Sequence, residues 1–355
     1  FFALPGDNRD GNEFAPEAIE KGAVAAIASR PGERILQVPD VLRALQDLAH
    51  WAARQWHGEI IGVTGSAGKT STKDLIAEML AAAFPTGKTE GNFNNHIGVP
   101  LSVLRLDSMA NAAVLEYGMN HAGEIRDLAA IARPKMAVVT NVGAAHIENF
   151  DSIDDIAAAK RELVEALPPD GVAVLNADDP RVADFARVHP GRSILYGLSP
   201  GAGISAEEVK FSGAGARFRV GETQFETALP GVHSVRNILA GIAVASVYGI
   251  PADRLTEVVR GLKPGKMRGE RIDYRGIQII NDCYNSNPDA AKAMLDLLAA
   301  TPARRKLAVL GEMLELGRWS EALHRDVGFH AAKSGLAVLM GIRGAARFMV
   351  DAAMD

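Results

Sequence analysis

Residues Gly62 to Thr72 read GVTGSAGKTST and follow directly on the apolar pair Ile60 and Ile61. An apolar strand feeding a glycine-rich turn that ends in Gly68-Lys69-Thr70 and runs into the helical pattern Asp74 to Leu80 is a phosphate-binding loop. Gly65 and Gly68 let the backbone turn tightly around Ser66 and Ala67, so that amides come up to phosphate oxygens. The helix opening at Lys69, Thr70 and Ser71 adds partial positive charge there. Lys69 is expected at the β/γ-phosphates of ATP and the Thr70 hydroxyl on Mg2+. The first glycine of the usual G-x-x-x-x-G-K-[ST] falls on Val63, so this is the shorter T-G-x-x-G-K-T form. The competing reading, a glycine turn with a solvated lysine, does not account for the strand before and the helix after.

Outward from this loop, buried-strand patterns alternate with helical ones, the sign of a parallel α/β sheet with helices on both faces. The strands are expected at Ile60 to Val63, Ala112 to Glu116, Met136 to Thr140 and Val172 to Asn176, and catalytic groups at their C-terminal ends. From about 204 to 230 alternation such as Ala216-Arg217-Phe218-Arg219-Val220 predicts antiparallel strands, followed by helices at Asn237 to Tyr248 and Asp253 to Gly261. Upstream, Phe1 to Leu4 and Ala23 to Ala28 read as strands around a turn at Pro5-Gly6-Asp7-Asn8 and a helix at Pro16 to Lys21. Leu42, Leu45, Leu48 and Ala49 then mark a linker helix. Downstream, the breaker-rich stretch Gly261 to Met267 predicts a domain boundary. Gln278 to Asp282, a helix at Pro288 to Ala299, Lys306 to Leu310 and a helix at Ala345 to Met354 then predict a second doubly wound unit.

The 355 residues are too many for one ordinary core, and 48% apolar with 23% charged residues is a globular composition. A net charge of -5 with scattered basic residues leaves no electrostatic footprint for nucleic acid, so small molecules are the expected partners. The single Cys283 excludes an intramolecular disulfide framework and fits a reducing compartment. No apolar run reaches the roughly 18 residues needed to span a bilayer. The expected location is the cytoplasm and the expected state a monomer. Because Phe1 opens inside an apolar run without an initiator methionine, the first unit is expected to be incomplete at its start.

Five further stretches carry candidate chemistry. Glu116 and His146 each follow an apolar strand of the phosphate-loop sheet and are candidate magnesium ligands beside Thr70; singly, each reads equally as a cap or a loop side chain. The loop Gly91-Asn92-Phe93-Asn94-Asn95-His96-Ile97-Gly98 suits a polar ligand held by amides, or is a turn-rich connector. Asn281-Asp282-Cys283-Tyr284-Asn285-Ser286-Asn287-Pro288 reads either as a site loop or as a strand exit with a helix cap and proline at its first position. Lys160, in the amphipathic run Ile156 to Leu163, is on physical grounds a solvated lysine.

Taken in order, TGSAGKTS (Thr64 to Ser71), GNFNNHIGVP (Gly91 to Pro100), EYGMNHAGEI (Glu116 to Ile125), AAHIE (Ala144 to Glu148), NDCYNSNP (Asn281 to Pro288) and GEMLELG (Gly311 to Gly317) resemble the Mur ligase family. These are the ATP-dependent amide-forming enzymes that build the bacterial cell-wall precursor. The resemblance implies three domains: a small N-terminal α/β domain at 1–57 that binds the UDP end of the substrate, a central phosphate-loop ATPase domain at 58–266, and a Rossmann-like C-terminal domain at 267–355, incomplete at its end. It implies Lys69, Glu116, His146 and Lys160 as catalytic, with Lys160 carbamylated and, with Thr70, Glu116 and His146, holding magnesium. Asn237, Arg268 and Asp282 would bind the nucleotide; Asp10, Gly11, Phe14, Asn92, Asn94, Asn95, Tyr284, Asn285 and Asn287 would contact substrate. The amide loop and GEMLELG favour the branch that joins D-alanyl-D-alanine to UDP-N-acetylmuramoyl-tripeptide over MurE-like or folylpolyglutamate synthase-like ligases. A nucleotide-binding protein without ligase activity is the alternative of another class.

Overall fold

The computed structural model describes residues 1–6, 8–212 and 215–354. Asp7 of the turn expected at Pro5 to Asn8, Gly213 and Ala214 of the expected antiparallel segment, and Asp355 lie outside the described residues.

The N-terminal unit holds α1 (Ala15–Glu20), the parallel pair β1 (Ala26–Ala28) and β2 (Ile35–Gln37), and α2 (Val41–Gln55), which Asp40 caps by accepting from Arg43 N at 2.9 Å. The strand expected at Phe1 to Leu4 is reduced to a single parallel bridge between Phe2 and Ile27. Leu45 and Ala49 are the buried stripe of α2, which packs against the central domain as its helical spacing predicts.

The central domain is built on β3 (Glu59–Thr64), α3 (Lys69–Ala81), β4 (Thr86–Lys88), α4 (Gly98–Leu104), β5 (Ala112–Glu116), α5 (Glu124–Ala132), β6 (Met136–Val139), α6 (Ile153–Glu165), β7 (Val172–Asn176), α7 (Pro180–Asp184), β8 (Arg192–Gly197) and β9 (Ile204–Ser205). Its strands form one parallel sheet in the order β4-β5-β3-β6-β7-β8-β9. Ile204 and Ser205, expected in an antiparallel segment, instead extend this parallel sheet at its edge. The antiparallel sheet proper is β10 (Glu207–Ser212), β11 (Gly215–Val220) and β12 (Thr223–Thr227).

Successive residues of each central strand enter opposite cores, which is why those strands read as unbroken apolar runs. Ile61, Val63, Val114, Val138 and Val174 pack towards α3 and α8 (Gly231–Val247), whereas Ala113, Leu115, Ala137, Val139 and Leu175 pack towards α5 and α6. Helices α3 and α8 touch closely enough at Gly241 that a Cβ there would stand 2.5 Å from Met79 Sδ. After α9 (Thr256–Gly261) the chain enters the C-terminal unit.

That unit contains β13 (Glu270–Tyr274), β14 (Ile277–Asn281), α10 (Pro288–Ala300), β15 (Leu307–Gly311), α11 (Ser320–Lys333), β16 (Val338–Ile342) and α12 (Arg347–Met354). The strand expected at Gln278 to Asp282 does not open a parallel sheet: β13 and β14 form an antiparallel hairpin, and β15 pairs in parallel with β16. Ala291 and Leu295 of α10, with Met313 and Leu316 beyond β15, belong to the same buried cluster as Tyr117 and Ile147 of the central domain. The C-terminal unit therefore lies over the strand ends that carry the candidate site, where α10 approaches α8 and Gly317 meets Glu148 of the loop after β6.

Candidate active site

The phosphate loop is fixed by the strand end beside it. Gly65 has φ 151°, and a Cβ there would stand 1.8 Å from Thr140 Oγ1, so only glycine fits. Thr140 Oγ1 donates to Ala67 O at 2.7 Å, Ala67 N donates to Asn141 Oδ1 at 2.9 Å, and Ser66 Oγ accepts from Gly143 N at 2.8 Å. Gly68, left-handed at φ 80°, precedes the first helical residue of α3, and the amides of Lys69, Thr70 and Ser71 have no intrahelical acceptor. Asn237 of α8 stands at Gly68, its Oδ1 3.3 Å from where a Cβ would be. Lys69 Nζ donates to Gly65 O at 2.8 Å across the mouth of the loop.

Glu116, 1% exposed at the end of β5, accepts from Thr70 Oγ1 at 2.7 Å and from Asn94 Nδ2 at 2.8 Å, while its own amide donates to Thr89 Oγ1 at 3.1 Å. The amide loop thus acts on the carboxylate: Asn94 aims it, whereas Asn95 accepts from Ile97 N and Gly98 N and caps α4. Asn92 is exposed, and its backbone oxygen accepts from Asn94 N at 2.7 Å. Asn95, with His96 and Gly118, also lines a cavity of about 490 Å³ between α2 and α5.

Lys73, which sequence reasoning missed, holds this arrangement from beneath. It is 1% exposed and donates to Thr89 O at 2.6 Å and Gly91 O at 3.2 Å, tying the amide loop to α3. Its signal was available, because 69, 73, 76 and 80 fall on one helical stripe.

Lys160 is not the solvated lysine its residue type suggests: it is 1% exposed, in the buried stripe of Ile156, Ala159 and Leu163. Among the described residues no hydrogen bond or ion pair engages its amine. Burial pushes its pKa well down, and the charge of Lys69 pushes the same way. Lys69 is itself lowered by burial, with Glu116 opposing and Arg268 adding to the shift. His146, left-handed at φ 62° beyond β6, is lowered by burial, opposed by Glu315 and pushed further down by Lys69 and Lys160. The corner thus sets two lysines and a histidine, all with depressed pKa values, against the carboxylates of Glu116 and Glu315.

The C-terminal unit supplies the opposite wall. Arg268 lies over the ring of Tyr284 at 4.1 Å and is an electrostatic neighbour of both Lys69 and Asp282. Asp282 is pushed up to about 6 by burial, against the Gly269 amide and Arg268. A Cβ at Gly143 would stand 1.8 Å from Asp289 Oδ2, so α10 meets the central domain directly at the phosphate-loop wall. Asn287 caps α10 by accepting from Ala290 N at 2.9 Å, with Pro288 at the first helical position, and Asn285 accepts from Ser286 N; both side chains serve the local turn. Asp10, Gly11 and Phe14 lie in the N-terminal unit and are not brought to this site. Asp10 accepts from Asn12 N and pairs with Arg30 at 2.6 Å, Gly11 packs against Leu4 O, and Phe14 sits under Arg9.

Residues 63–245 match the Mur ligase middle domain and residues 267–354 the Mur ligase glutamate ligase domain. The chain belongs to the Mur ligase family. Among curated Mur ligases it is 37% identical over 338 residues to the UDP-N-acetylmuramoyl-tripeptide--D-alanyl-D-alanine ligase of Bacillus subtilis (strain 168), covering 92% of this chain and 73% of that one. MurF from Acinetobacter baumannii superposes with a TM-score of 0.94 at 29% identity, covering 100% of this chain and 80% of that one. MurF from Thermotoga maritima in complex with ADP superposes with a TM-score of 0.90 at 28% identity, covering 98% of this chain and 82% of that one.

Magnesium and a carbamylated Lys160 can be tested against this geometry. Among the described residues no three His, Cys, Asp or Glu side chains converge. A magnesium ion held by one or two carboxylates together with substrate phosphates does not need such a cluster. The Thr70–Glu116 pair offers one hydroxyl and one carboxylate, and the unpartnered Lys160 amine is in the low-pKa setting that CO2 addition requires. The residues present fit both groups.

Proposed function

We propose that this chain joins D-alanyl-D-alanine to UDP-N-acetylmuramoyl-tripeptide at the expense of ATP. The observation that carries the reading is the convergence on one phosphate loop of Lys69, the Thr70–Glu116 pair and the buried amine of Lys160, faced by Arg268 and Asp282 from the C-terminal unit. The domains run 1–57, 58–266 and 267–355. A monomer acting in the cytoplasm belongs to this reading.

A carboxylate cannot expel oxide, so the substrate must first become an acyl phosphate. One oxygen of the tripeptide carboxylate attacks the γ-phosphorus as the bond to the β-bridging oxygen breaks and ADP leaves. The D-alanyl-D-alanine amine then adds to the acyl carbon, phosphate departs, and the amine proton is lost. The α3 amides cradle the phosphates, and Lys69, swinging from Gly65 O, faces the charge that gathers on the transferred group. Magnesium, when bound at Thr70 and Glu116, His146 and carbamylated Lys160, supplies charge neutralisation there. Asn237 and Arg268 hold the nucleoside end, and Asp282 keeps Arg268 in place.

Incubation with ATP, Mg2+, the UDP-tripeptide and a panel of amines, with mass detection of the product, tests this. The expected result is one amide product with D-alanyl-D-alanine and an equal yield of ADP. ADP release that ignores the acceptor, or a product formed only with another amine, would refute it.

A further inference from the structure

GEMLELG, Gly311 to Gly317, is the one sequence block that the ligation chemistry above leaves without a task. It forms the seam between the C-terminal unit and the loop after β6. Met313 and Leu316 are buried in the shared core, and Glu148 N donates to Glu315 O at 3.1 Å. Gly317, at φ 47°, sits so close that a Cβ there would stand 2.8 Å from Glu148 Cβ. Arg318 reaches Asp151 Oδ1 at 2.9 Å. From the other side, buried His324 accepts from Met313 N at 3.0 Å, and Glu312 accepts from Ala345 N at 2.9 Å.

Both ends of the segment are therefore anchored, and what they present is Glu315. Its carboxylate lies against His146 Nδ1, in contact rather than in aligned hydrogen-bond geometry. Glu315 and His146 are both non-glycine residues in the left-handed region, at φ 61° and 62°. Two facing residues in a disfavoured conformation, held by packing on both sides, mark a place where side-chain direction matters.

We propose that Glu315 is a positioning residue for His146. An imidazole whose Nδ1 faces a carboxylate is held in the Nδ1–H tautomer, which leaves Nε2 as the lone-pair nitrogen directed elsewhere. Glu315 comes from the C-terminal unit and His146 from the central domain, so docking of the two units itself sets the tautomer. The site is then complete for a divalent cation only when the nucleotide-side wall is in place. This rests on the ligase reading above.

The test uses the whole chain and two readouts. Imidazole nitrogen shifts, measured without metal, report the tautomer of His146: Nδ1–H is expected in the parent, with a shift towards Nε2–H in Glu315→Gln. Mn2+ titration in the presence of ADP should show binding about 10–100-fold weaker in Glu315→Gln, the range for loss of a carboxylate behind a ligating histidine. In a His146→Asn background the same change should add less than twofold. Glu315→Asp, which keeps the charge, should recover part of the affinity. An unchanged tautomer, or equal losses with and without His146, would overturn the inference alone. A parent chain that binds no Mn2+ with ADP would overturn the ligase reading with it.

Discussion

Replacing Lys160 by methionine should make the protein more stable and inactive at once. The side chain is 1% exposed, packed among Ile156, Ala159 and Leu163, and its amine meets no hydrogen-bond acceptor or carboxylate among the described residues. Holding an amine where its pKa is depressed costs about 1–3 kcal/mol at neutral pH, and methionine fills the same stem volume without that amine. The central domain should gain that amount, or about 2–4 °C of melting temperature for each kcal/mol. The gain should depend on pH in a defined direction. Lys160 has a folded-state pKa well below its ordinary 10.5, so between those values the unfolded chain binds the extra proton and parental stability rises with pH. The advantage of the methionine variant should therefore be largest at and below the depressed folded value and shrink as pH climbs towards 10.5. Urea unfolding of both proteins in CO2-depleted, metal-free buffer, from neutral pH upwards, measures it. A variant no more stable than the parent, or an advantage that does not shrink with pH, would refute the argument that this site depresses the amine's pKa.

Other changes separate the roles of neighbouring residues. Lys160→Ala should lose most ligase activity, with acetate or bicarbonate restoring part of it by refilling the ligand position; a variant that turns over like the parent in CO2-depleted and bicarbonate-rich buffer would return Lys160 to a packing role. Lys69→Ala should fold normally and abolish ligation, because it removes the charge facing the transferred phosphoryl group; turnover near that of the parent would contradict this. Gly65→Ala places a Cβ 1.8 Å from Thr140 Oγ1 and should destabilise by about 1–3 kcal/mol while weakening nucleotide binding, read by calorimetry with ADP. Asn287→Ala should cost about 1 kcal/mol of stability as a lost helix cap, with KM for D-alanyl-D-alanine unchanged; a large KM effect would restore a substrate contact.

The central domain was legible because its physics is local. A strand buried on both faces is an apolar run, and the phosphate loop needs glycine where its backbone meets Thr140 and Asn237. Strands β4 and β8 were missed because they are short or only half buried and carry little period, and β9 was expected as antiparallel because its two residues carry no signal of their own. Helix α11 was missed because its buried stripe includes His324 and Gly328, where the second lets α12 approach until a Cβ would stand 2.3 Å from Met349 O. In the hairpin of β13 and β14 the alternating apolar residues Ile272, Ile277 and Ile279 are all exposed, so burial says nothing of its sheet and only its pairing distinguishes it from a parallel strand. At the site, the positions of Glu116 and His146 followed from strand ends. The burial of Lys160 was written in its spacing from Ile156 and Leu163 but overruled by its residue type. Asn94's grip on Glu116 and Glu315's on His146 join loops distant in the chain, and no local pattern encodes them.

The claim that matters most is that the substrate carboxylate itself receives the γ-phosphoryl group, and oxygen tracing tests it directly. UDP-N-acetylmuramoyl-tripeptide carrying 18O in its terminal carboxylate should, with ATP, Mg2+ and D-alanyl-D-alanine, release phosphate bearing one 18O for each amide formed. Phosphate that is unlabelled from this substrate and takes its oxygen from 18O-water would mean hydrolysis of ATP without acyl-phosphate formation, and would contradict the account.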